Sequence, residues 1–335
     1  MTKILKSNKI IALLLIAFML VFILNPKVYM QSCLNGLTVW FYNVLPALFP
    51  FFIATRLLLL LNISNIPALD KFCFKFFKTK NSGKIFMLSL ISGYPIGAKL
   101  ICDAYNHNQL DLKSAQKMMS FCSVSGPMFI IGSVGIGIFK SLKFGYLLLL
   151  SHILGAIING FVFRNCYELK KYSILPKTSQ ELMPIPQIET NHETKSTNIL
   201  ADSMLDSITS ILLVGGYIVF AFVLIDLLNN IKIIPMLTNF ICNIFNIKNT
   251  NLVGSMFNGA LEMTKGLIGV GTHSLSPKLS LVLASFLIGF GGISVFLQSL
   301  NFTKNLKLKK SFYIFQKFCQ GLFSALISTF FINLL

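Results

Sequence analysis

Residues 92–99 read SGYPIGAK and interrupt an apolar run that would otherwise form an ordinary membrane helix. Pro95 stands between Gly93 and Gly97, and a proline inside a helix breaks or kinks it. Lys99 follows one turn later, where a charged side chain is costly in hydrocarbon. Irregular backbone inside a membrane persists only where protein or a watery cavity satisfies its N–H and C=O groups. The stretch therefore predicts a site for a polar solute.

The composition places the chain in a membrane. Of its 335 residues, 54% are hydrophobic and 12% are charged, and the mean hydropathy is +0.73. Such a chain is too apolar for one soluble core, so we predict an all-α polytopic membrane protein. The formal charge of +18 comes from lysines scattered through short loops. This pattern favours cytoplasmic loops of a membrane protein and excludes a nucleic-acid partner.

Nine apolar segments can be counted, each near the ~20 residues that a helix needs to cross the bilayer. They are residues 10–24, 37–61, 85–102, 118–139, 146–163, 204–228, 252–270, 279–300 and 312–334. The first 36 residues combine a basic start with an apolar run and offer no small-residue cleavage pattern. We therefore expect residues 1–36 to form an uncleaved, signal-anchor-like span, and the chain to hold eight or nine hydrophobic segments.

A polar, proline-containing stretch, residues 164–203, divides the chain and is predicted to be a flexible linker. Shifting the sequence by 166 positions superposes the irregular stretches of the two halves. The superposed pairs are Ser89 with Ser255, Gly93 with Gly259, Lys99 with Lys265, Gly126 with Gly292, Lys143 with Lys309 and Gly155 with Gly321. We predict two repeated units, residues 37–163 and 204–335, with discontinuous or re-entrant helices at matching positions. Such repeats are the best sequence indication of a transporter binding site.

The relative orientation of the units stays open at this point. If residues 85–102 and 252–270 cross the membrane, the units are parallel and the linker lies outside the cell. If they are re-entrant hairpins, the units are inverted. The lysines mildly favour full crossing, because the re-entrant alternative places Lys140, Lys143 and two later loop lysines outside.

The break at Pro95 suggests an anion site. Proline suits the first position of a new half-helix, whose free N–H groups and partial positive charge favour an anion, and Lys99 adds a full charge. The alternative is that Gly93 and Gly97 form a close-packing face and that Lys99 snorkels to the interface.

In the second unit, Asn258 is a candidate helix N-cap, and Glu262 and Lys265 are neighbours on one helix face. They either neutralise each other, or Glu262 binds a coupling H⁺ or Na⁺ while Lys265 meets the substrate. Two further breaks offer backbone groups and neutral side chains to carboxylate oxygens, with flexible, close-packed glycine as the alternative. The predicted substrate-binding residues are Gly93, Tyr94, Pro95, Gly97, Lys99, Ser125, Gly126, Pro127, Asn258, Glu262, Lys265, Gly291, Gly292, Ser294 and Gln298.

The remaining charged residues of the apolar segments suggest no chemistry. Arg56, Asp206, Asp226 and Lys317 lie near predicted helix ends, so we expect them to snorkel or to pair. The histidines lack metal-binding spacing, and no paired catalytic carboxylates, nucleophile elbow or phosphate loop is found. We predict that the protein is not an enzyme and uses no metal or cofactor.

Five motifs together resemble a known family, over about residues 36–334. They are LPALFPFFI, SGYPIGAKL, FCSVSGPMFIIGSVG, FNGALEMTKG and GFGGISVFLQ. This set is similar to the YlbJ or stage V sporulation protein V family, bacterial sporulation integral membrane proteins that carry the nucleoside-recognition Gate domain. The resemblance implies two Gate-like units and transport of dipicolinic acid across the outer forespore membrane.

Two alternatives stay open beside transport of dipicolinate, a small dianion. One is a carrier for nucleosides or other small solutes, since the Gate domain also resembles parts of concentrative nucleoside transporters. The other is a non-transporting scaffold that assembles sporulation machinery. The expected partners are the small anionic solute and the lipid bilayer, and the sequence identifies no protein partner.

Overall fold

A computed structural model describes residues 2–61, 66–166, 198–272 and 276–334. Within these ranges the chain is helical and contains no strand, which confirms the predicted all-α class. The α-helices are α1 (Thr2–Leu24), α2 (Pro26–Val39), α3 (Leu45–Leu60), α4 (Pro67–Phe77), α5 (Gly83–Ser92), α6 (Ile96–Asn106), α7 (Leu112–Cys122), α8 (Leu142–Phe163), α9 (Ile199–Asn230), α10 (Ile233–Phe245), α11 (Thr250–Leu261), α12 (Met263–Thr272), α13 (Pro277–Phe290), α14 (Gly292–Phe302) and α15 (Lys310–Leu334). Two π-helices, π1 (Trp40–Val44) and π2 (Phe129–Ile138), and a short 3₁₀ turn (Lys304–Leu306) complete the order.

Four helices of the described residues are long and apolar enough to cross a membrane. They are Pro26–Leu60, Leu142–Phe163, Ile199–Asn230 and Pro277–Phe302. At 1.5 Å per residue each exceeds the ~30 Å of bilayer hydrocarbon. The protein is therefore an integral membrane protein. Most residues of the predicted 164–203 linker lie outside the described residues.

The first long span begins at Pro26, well before the predicted start at residue 37, because Asn25 ends α1 and Pro26 opens the next helix. This first span is distorted at π1, which immediately precedes α3, while Pro50 lies inside α3. The Asn43 carbonyl in π1 accepts a hydrogen bond from the Ser133 hydroxyl of π2. A neighbouring segment thus satisfies a carbonyl at the distortion, as membrane depth requires.

The two broken segments are re-entrant hairpins. In the second, Gly266 packs against Gly259, and Gly269 packs against Ser255, so α11 and α12 run antiparallel. In the first, α5 and α6 pack side by side, and a Cβ on Gly97 would lie 3.3 Å from the Ser89 Cβ. We call residues 83–106 hairpin 1 and residues 250–272 hairpin 2. The mild preference of the loop lysines for full crossing is wrong, because the two helices of each segment pack against each other at small residues and fold the segment back.

The matching long helices of the two units run antiparallel. Along α2, π1 and α3, Tyr29 contacts Asn230, Trp40 donates to the Ile211 carbonyl, and Arg56 pairs with Asp206 of α9. Similarly, α8 and α15 pack antiparallel, with Phe163 against Phe312 and Gly155 against Ser324. The two halves therefore have inverted topology.

The start of the linker lies on the same side as the first basic loop. Lys78, which follows α4, donates a hydrogen bond of 2.8 Å to the Asn165 side chain just after α8. This contact contradicts the outside placement of the linker in the full-crossing alternative. It agrees with inverted units, in which the linker joins two helix ends on one face.

Candidate functional site

Four helix breaks meet around one small cavity. Tyr94 comes from the tip of hairpin 1, and Glu262 comes from the tip of hairpin 2. Ser125 belongs to the break between α7 and π2, and Gln298 to α14, which follows the break at Gly291. The cavity measures about 30 Å³, which is room for one water molecule. The full lining is Val44, Leu48, Tyr94, Ser125, Gly126, Phe129, Val214, Ile218, Glu262, Met263, Thr264, Val295 and Gln298.

The cavity lies halfway along the long span α9. Its α9 lining residues are Val214, eight residues after Asp206, and Ile218, eight residues before Asp226. Hairpin 1 is paired near the start of α9, where Lys99 meets Asp206, and hairpin 2 near its end, where Lys265 meets Asp226. The two hairpins thus enter from opposite ends of α9, and their tips meet near its middle.

The tip of hairpin 1 packs directly on the next break. Gly93 has a φ of +77°, and a Cβ there would collide with the Gly126 backbone nitrogen. Only glycine adopts this conformation easily and lets two backbones approach so closely. Pro95 is the N-cap of α6, and Gly97 lies against the Cys122 carbonyl. Both residues therefore stabilise the tip without lining the cavity.

Side chains from the two packed helices α8 and α15 satisfy the backbone of the break at residues 123–126. The Ser125 N–H donates to Nε2 of His152, at 2.9 Å, and the Ser123 carbonyl accepts from Lys317 Nζ, at 2.7 Å. The Ser123 hydroxyl also lies 2.6 Å from the Tyr313 hydroxyl. The scattered histidines gave no sign of this role, because His152 acts on backbone rather than on another side chain. Pro127 follows the break and lies outside the cavity lining.

At the tip of hairpin 2, Glu262 caps α12. Its two carboxylate oxygens accept from the Thr264 hydroxyl, at 3.2 Å, and from the Lys265 backbone N–H, at 2.8 Å, and the side chain is buried. The expected N-cap, Asn258, is instead inside α11, because the break lies at Glu262. The expected side-chain pairing of Glu262 with Lys265 is replaced by this cap.

The fourth break, at Gly291 and Gly292, packs against hairpin 2. Gly291 and Gly292 both have positive φ values, and a Cβ on Gly292 would lie 2.9 Å from the Gly259 carbonyl oxygen. Beyond the break, Gln298 Nε2 donates to the Ser294 hydroxyl at 3.3 Å, and both side chains are buried. Of the predicted residues here, Gln298 reaches the cavity lining.

The structure does not bring Lys99 and Lys265 together. Lys99 lies 3.3 Å from Asp206, which also pairs with Arg56 at 2.9 Å, and Lys265 pairs with Asp226. The twenty residues of α9 between the two aspartates correspond to about 30 Å. These ion pairs confirm the expectation of pairing for Arg56, Asp206 and Asp226. Both lysines point from the tips toward opposite ends of the bundle.

The expectation for Lys317 is wrong, since this residue neither snorkels nor forms an ion pair with a carboxylate in the contacts of its ammonium. Its side chain is 3% exposed, and Nζ donates to the Tyr94 hydroxyl (2.5 Å), the Ser123 carbonyl (2.7 Å) and Gln320 Oε1 (2.6 Å). The sequence held a signal: polar residues recur every fourth position along α15. These are Gln316, Gln320, Ser324 and Ser328, all fully buried.

The arrangement presents hydroxyl, amide and carboxylate groups to a cavity with apolar walls, with a buried ammonium one hydroxyl away. Such a mixture suits recognition of a small polar solute. Among the described residues, no group of three His, Cys, Asp or Glu side chains is placed to hold a metal ion.

Comparison with known proteins gives one strong similarity. The chain is 28% identical to the sporulation integral membrane protein YlbJ of Bacillus subtilis (strain 168), over 95% of this chain and 82% of that protein. No family model matches the chain, and no solved structure matches it. The alignment covers the long spans, both hairpins and all four breaks, and it supports the assignment of this chain to the YlbJ family.

Proposed function

We propose that this protein is a membrane carrier of sporulating cells that moves a small carboxylate, dipicolinate, across the outer forespore membrane. The observation that carries the proposal is the meeting of two oppositely directed hairpin tips at a cavity halfway along the long apolar helix α9. Half-helix ends at a midplane cavity between inverted units are typical of secondary transporters. The sporulation setting comes from the name of the related B. subtilis protein, and the substrate from the family resemblance.

The cavity chemistry suits a flat aromatic acid. Val44, Leu48 and Phe129 offer apolar surface on one side, and Val214 and Ile218 offer it on α9. Polar groups of the lining, among them the Tyr94 hydroxyl and the Gln298 amide, are available to carboxylate oxygens. A pyridine ring with carboxylates matches this division between apolar walls and polar groups.

The geometry implies alternating access. Pockets for small molecules usually measure about 300 to 1,000 Å³, whereas this cavity of about 30 Å³ is closed around its centre. A hairpin tip must therefore withdraw to admit the solute. Each hairpin is tied to its own end of α9 by an ion pair, so either one can move while the other stays in place.

The test is uptake of labelled dipicolinate into proteoliposomes that contain the purified protein. We expect saturable uptake by the wild type and its loss in Gly93→Ala, which disrupts the tip of hairpin 1. Gly216→Ala is the matched control, because a Cβ at Gly216 on α9 meets no atom within 4 Å. Imposed proton and sodium gradients identify a coupling ion, for which Glu262 is the candidate ligand.

The same assay separates the alternatives. Competition by uncharged nucleosides would indicate a nucleoside carrier rather than an anion carrier. Absence of saturable uptake by folded wild-type protein, with either gradient imposed, would contradict the carrier proposal and favour a scaffold.

A further inference from the structure

We propose that Lys317 of α15 and Tyr94 of hairpin 1 form the carboxylate-binding pair of the central cavity. An incoming carboxylate replaces the Tyr94 hydroxyl oxygen as acceptor of the Lys317 ammonium. Once the tip of hairpin 1 has closed again, the Tyr94 hydroxyl donates its own proton to the same carboxylate. The inference rests on the proposed transport of a small carboxylate, and it names the residues that bind the anion.

Lys317 is a buried cation whose ammonium, within the described part of the chain, donates to uncharged oxygens. An ammonium has three N–H donors, and in Lys317 they meet a tyrosine hydroxyl, a backbone carbonyl and a glutamine side chain. Burying a charge without a counterion is costly, so a lysine buried in this way is a candidate functional residue. A ligand carboxylate would supply the counterion that these contacts lack.

The other two candidate lysines already have their counterions. Lys99 pairs with Asp206, and Lys265 pairs with Asp226. The side chains of Lys99 and Lys265 are 21% and 19% exposed, and Lys317 as a whole residue is 3% exposed. An anion in the cavity is therefore stabilised more by Lys317 than by Lys99 or Lys265, because the charge of Lys317 is least screened by water and by neighbouring carboxylates.

Tyr94 connects this cation to the cavity. Its hydroxyl lies 2.5 Å from Lys317 Nζ, its ring centroid lies 4.9 Å from the same atom, and the residue also belongs to the cavity lining. Tyr94 is at the tip of hairpin 1, so withdrawal of that tip removes the hydroxyl and exposes the ammonium. Opening and exposure of the anion site are thus one movement.

The negative charge of Glu262 determines how the anion is oriented in the cavity. It is a buried carboxylate on the opposite hairpin tip, and its oxygens are engaged by Thr264 and the Lys265 backbone. Repulsion from Glu262 directs a substrate carboxylate toward Tyr94 and Lys317. The second carboxylate of a dianion is left with uncharged donors, of which the Gln298 amide has one N–H beyond its bond to Ser294.

The ligand class that follows is a compact aromatic carboxylate. One carboxylate is required for Lys317, and the ring occupies the apolar walls. A pyridine with one carboxylate therefore competes with dipicolinate, whereas the uncharged diamide of dipicolinate does not.

The experiment is equilibrium binding of labelled dipicolinate to the purified full-length protein, alongside uptake in proteoliposomes. Lys317→Met keeps the length of the side chain and removes the charge, and we expect its Kd to rise at least about a hundredfold. Tyr94→Phe keeps the ring and removes the hydroxyl, and we expect a rise of about tenfold. Lys80→Met and Lys248→Met, which remove the charge of exposed lysines before the two hairpins, are the controls and should stay within about threefold of the wild type.

The outcomes separate this site from a purely structural role and from the proposed function. If Lys317 only supports the break at Ser123, folded Lys317→Met and Tyr94→Phe protein will bind with wild-type affinity, and the site is overturned while transport stands. If Lys317→Met fails to fold, the Kd of Tyr94→Phe alone decides between binding and structural support. If the wild type neither binds nor transports dipicolinate, both proposals fail.

Discussion

The two hairpins share a shape and differ in the chemistry of their tips. Hairpin 1 ends at Gly93 and Pro95 and presents the Tyr94 hydroxyl, which is backed by Lys317. Hairpin 2 ends at Glu262, a carboxylate that caps its own second helix. Because the units are inverted, the two tips have matching backbone geometry. Their side chains differ, so one end of the cavity lies near the Lys317 ammonium and the other at the Glu262 carboxylate. Under the proposed function, this difference gives a bound anion a preferred orientation between the two tips.

The tips are also stabilised differently. Hairpin 1 depends on contact between backbones, since Gly93 rests on Gly126. Hairpin 2 depends on a side-chain cap, since Glu262 accepts from the Lys265 backbone N–H. Substitutions at the two tips should therefore fail for different reasons and to different degrees.

The sharpest test of the comparison is the face from which each hairpin enters. Lys80 precedes hairpin 1, Lys248 precedes hairpin 2, and both side chains are exposed. In a background with exposed Cys166 replaced by serine, we expect Lys80→Cys and Lys248→Cys to react with an impermeant maleimide from opposite sides of the membrane. Labelling of both from one side would contradict the inverted arrangement.

Next in size is the effect of adding a methyl group at the tip of hairpin 1. Gly93→Ala should lower the free energy of unfolding by about 2 to 5 kcal/mol, since it combines a strained positive φ with a backbone collision. Denaturant titration in detergent measures the change. Gly216→Ala, on the open surface of α9, should be neutral or slightly stabilising. Equal losses at the two glycines would mean that hairpin 1 is not packed as described.

A smaller loss is expected when the cap of hairpin 2 is removed. Glu262→Ala should cost about 0.5 to 2 kcal/mol of unfolding free energy, the usual range for a lost N-cap. Glu262→Gln keeps an acceptor for the Lys265 N–H and should lose less. If Gln and Ala destabilise equally, the negative charge rather than the cap geometry supports this tip.

The smallest effects concern the ion pairs at the ends of α9. These pairs are partly exposed, so Asp226→Asn should cost no more than about 1 kcal/mol, and less in high salt. Asp206→Asn should cost more, because Asp206 meets both Arg56 and Lys99. Thermal unfolding at low and high ionic strength gives the comparison. A larger loss for Asp226→Asn would show that its single pair is effectively desolvated.

Sequence patterns predicted the positions of the helix breaks better than they predicted the surroundings of the charged side chains. Glycine and proline act on the backbone where they stand, so Gly93, Pro95 and Gly291 marked the breaks correctly. A lysine has a long side chain, and its surroundings depend on helices far away in the chain. Lys317 has the sequence environment of a helix end, yet it lies against Tyr94 and Ser123, about two hundred residues earlier.

Local sequence patterns also could not predict the relative orientation of the two units. Whether a broken segment crosses or returns depends on packing between its two halves, as between Gly259 and Gly266. Loop lysines such as Lys140 and Lys232 record only an average preference of the membrane. The position of Asn258 shows the same limit, because a good capping residue stayed inside α11 when the chain turned at Glu262.

The separate ion pairs on α9 have a consequence for the leakage of small ions across the membrane. One rigid helix ties down hairpin 1 near its start and hairpin 2 near its end, so releasing one hairpin leaves the anchor of the other untouched. A pathway in which both barriers were withdrawn together would let small ions run down the electrochemical gradient. In the proposed carrier, separate anchors allow one barrier to stay in place while the other opens, so that the solute can cross without a leak of small ions.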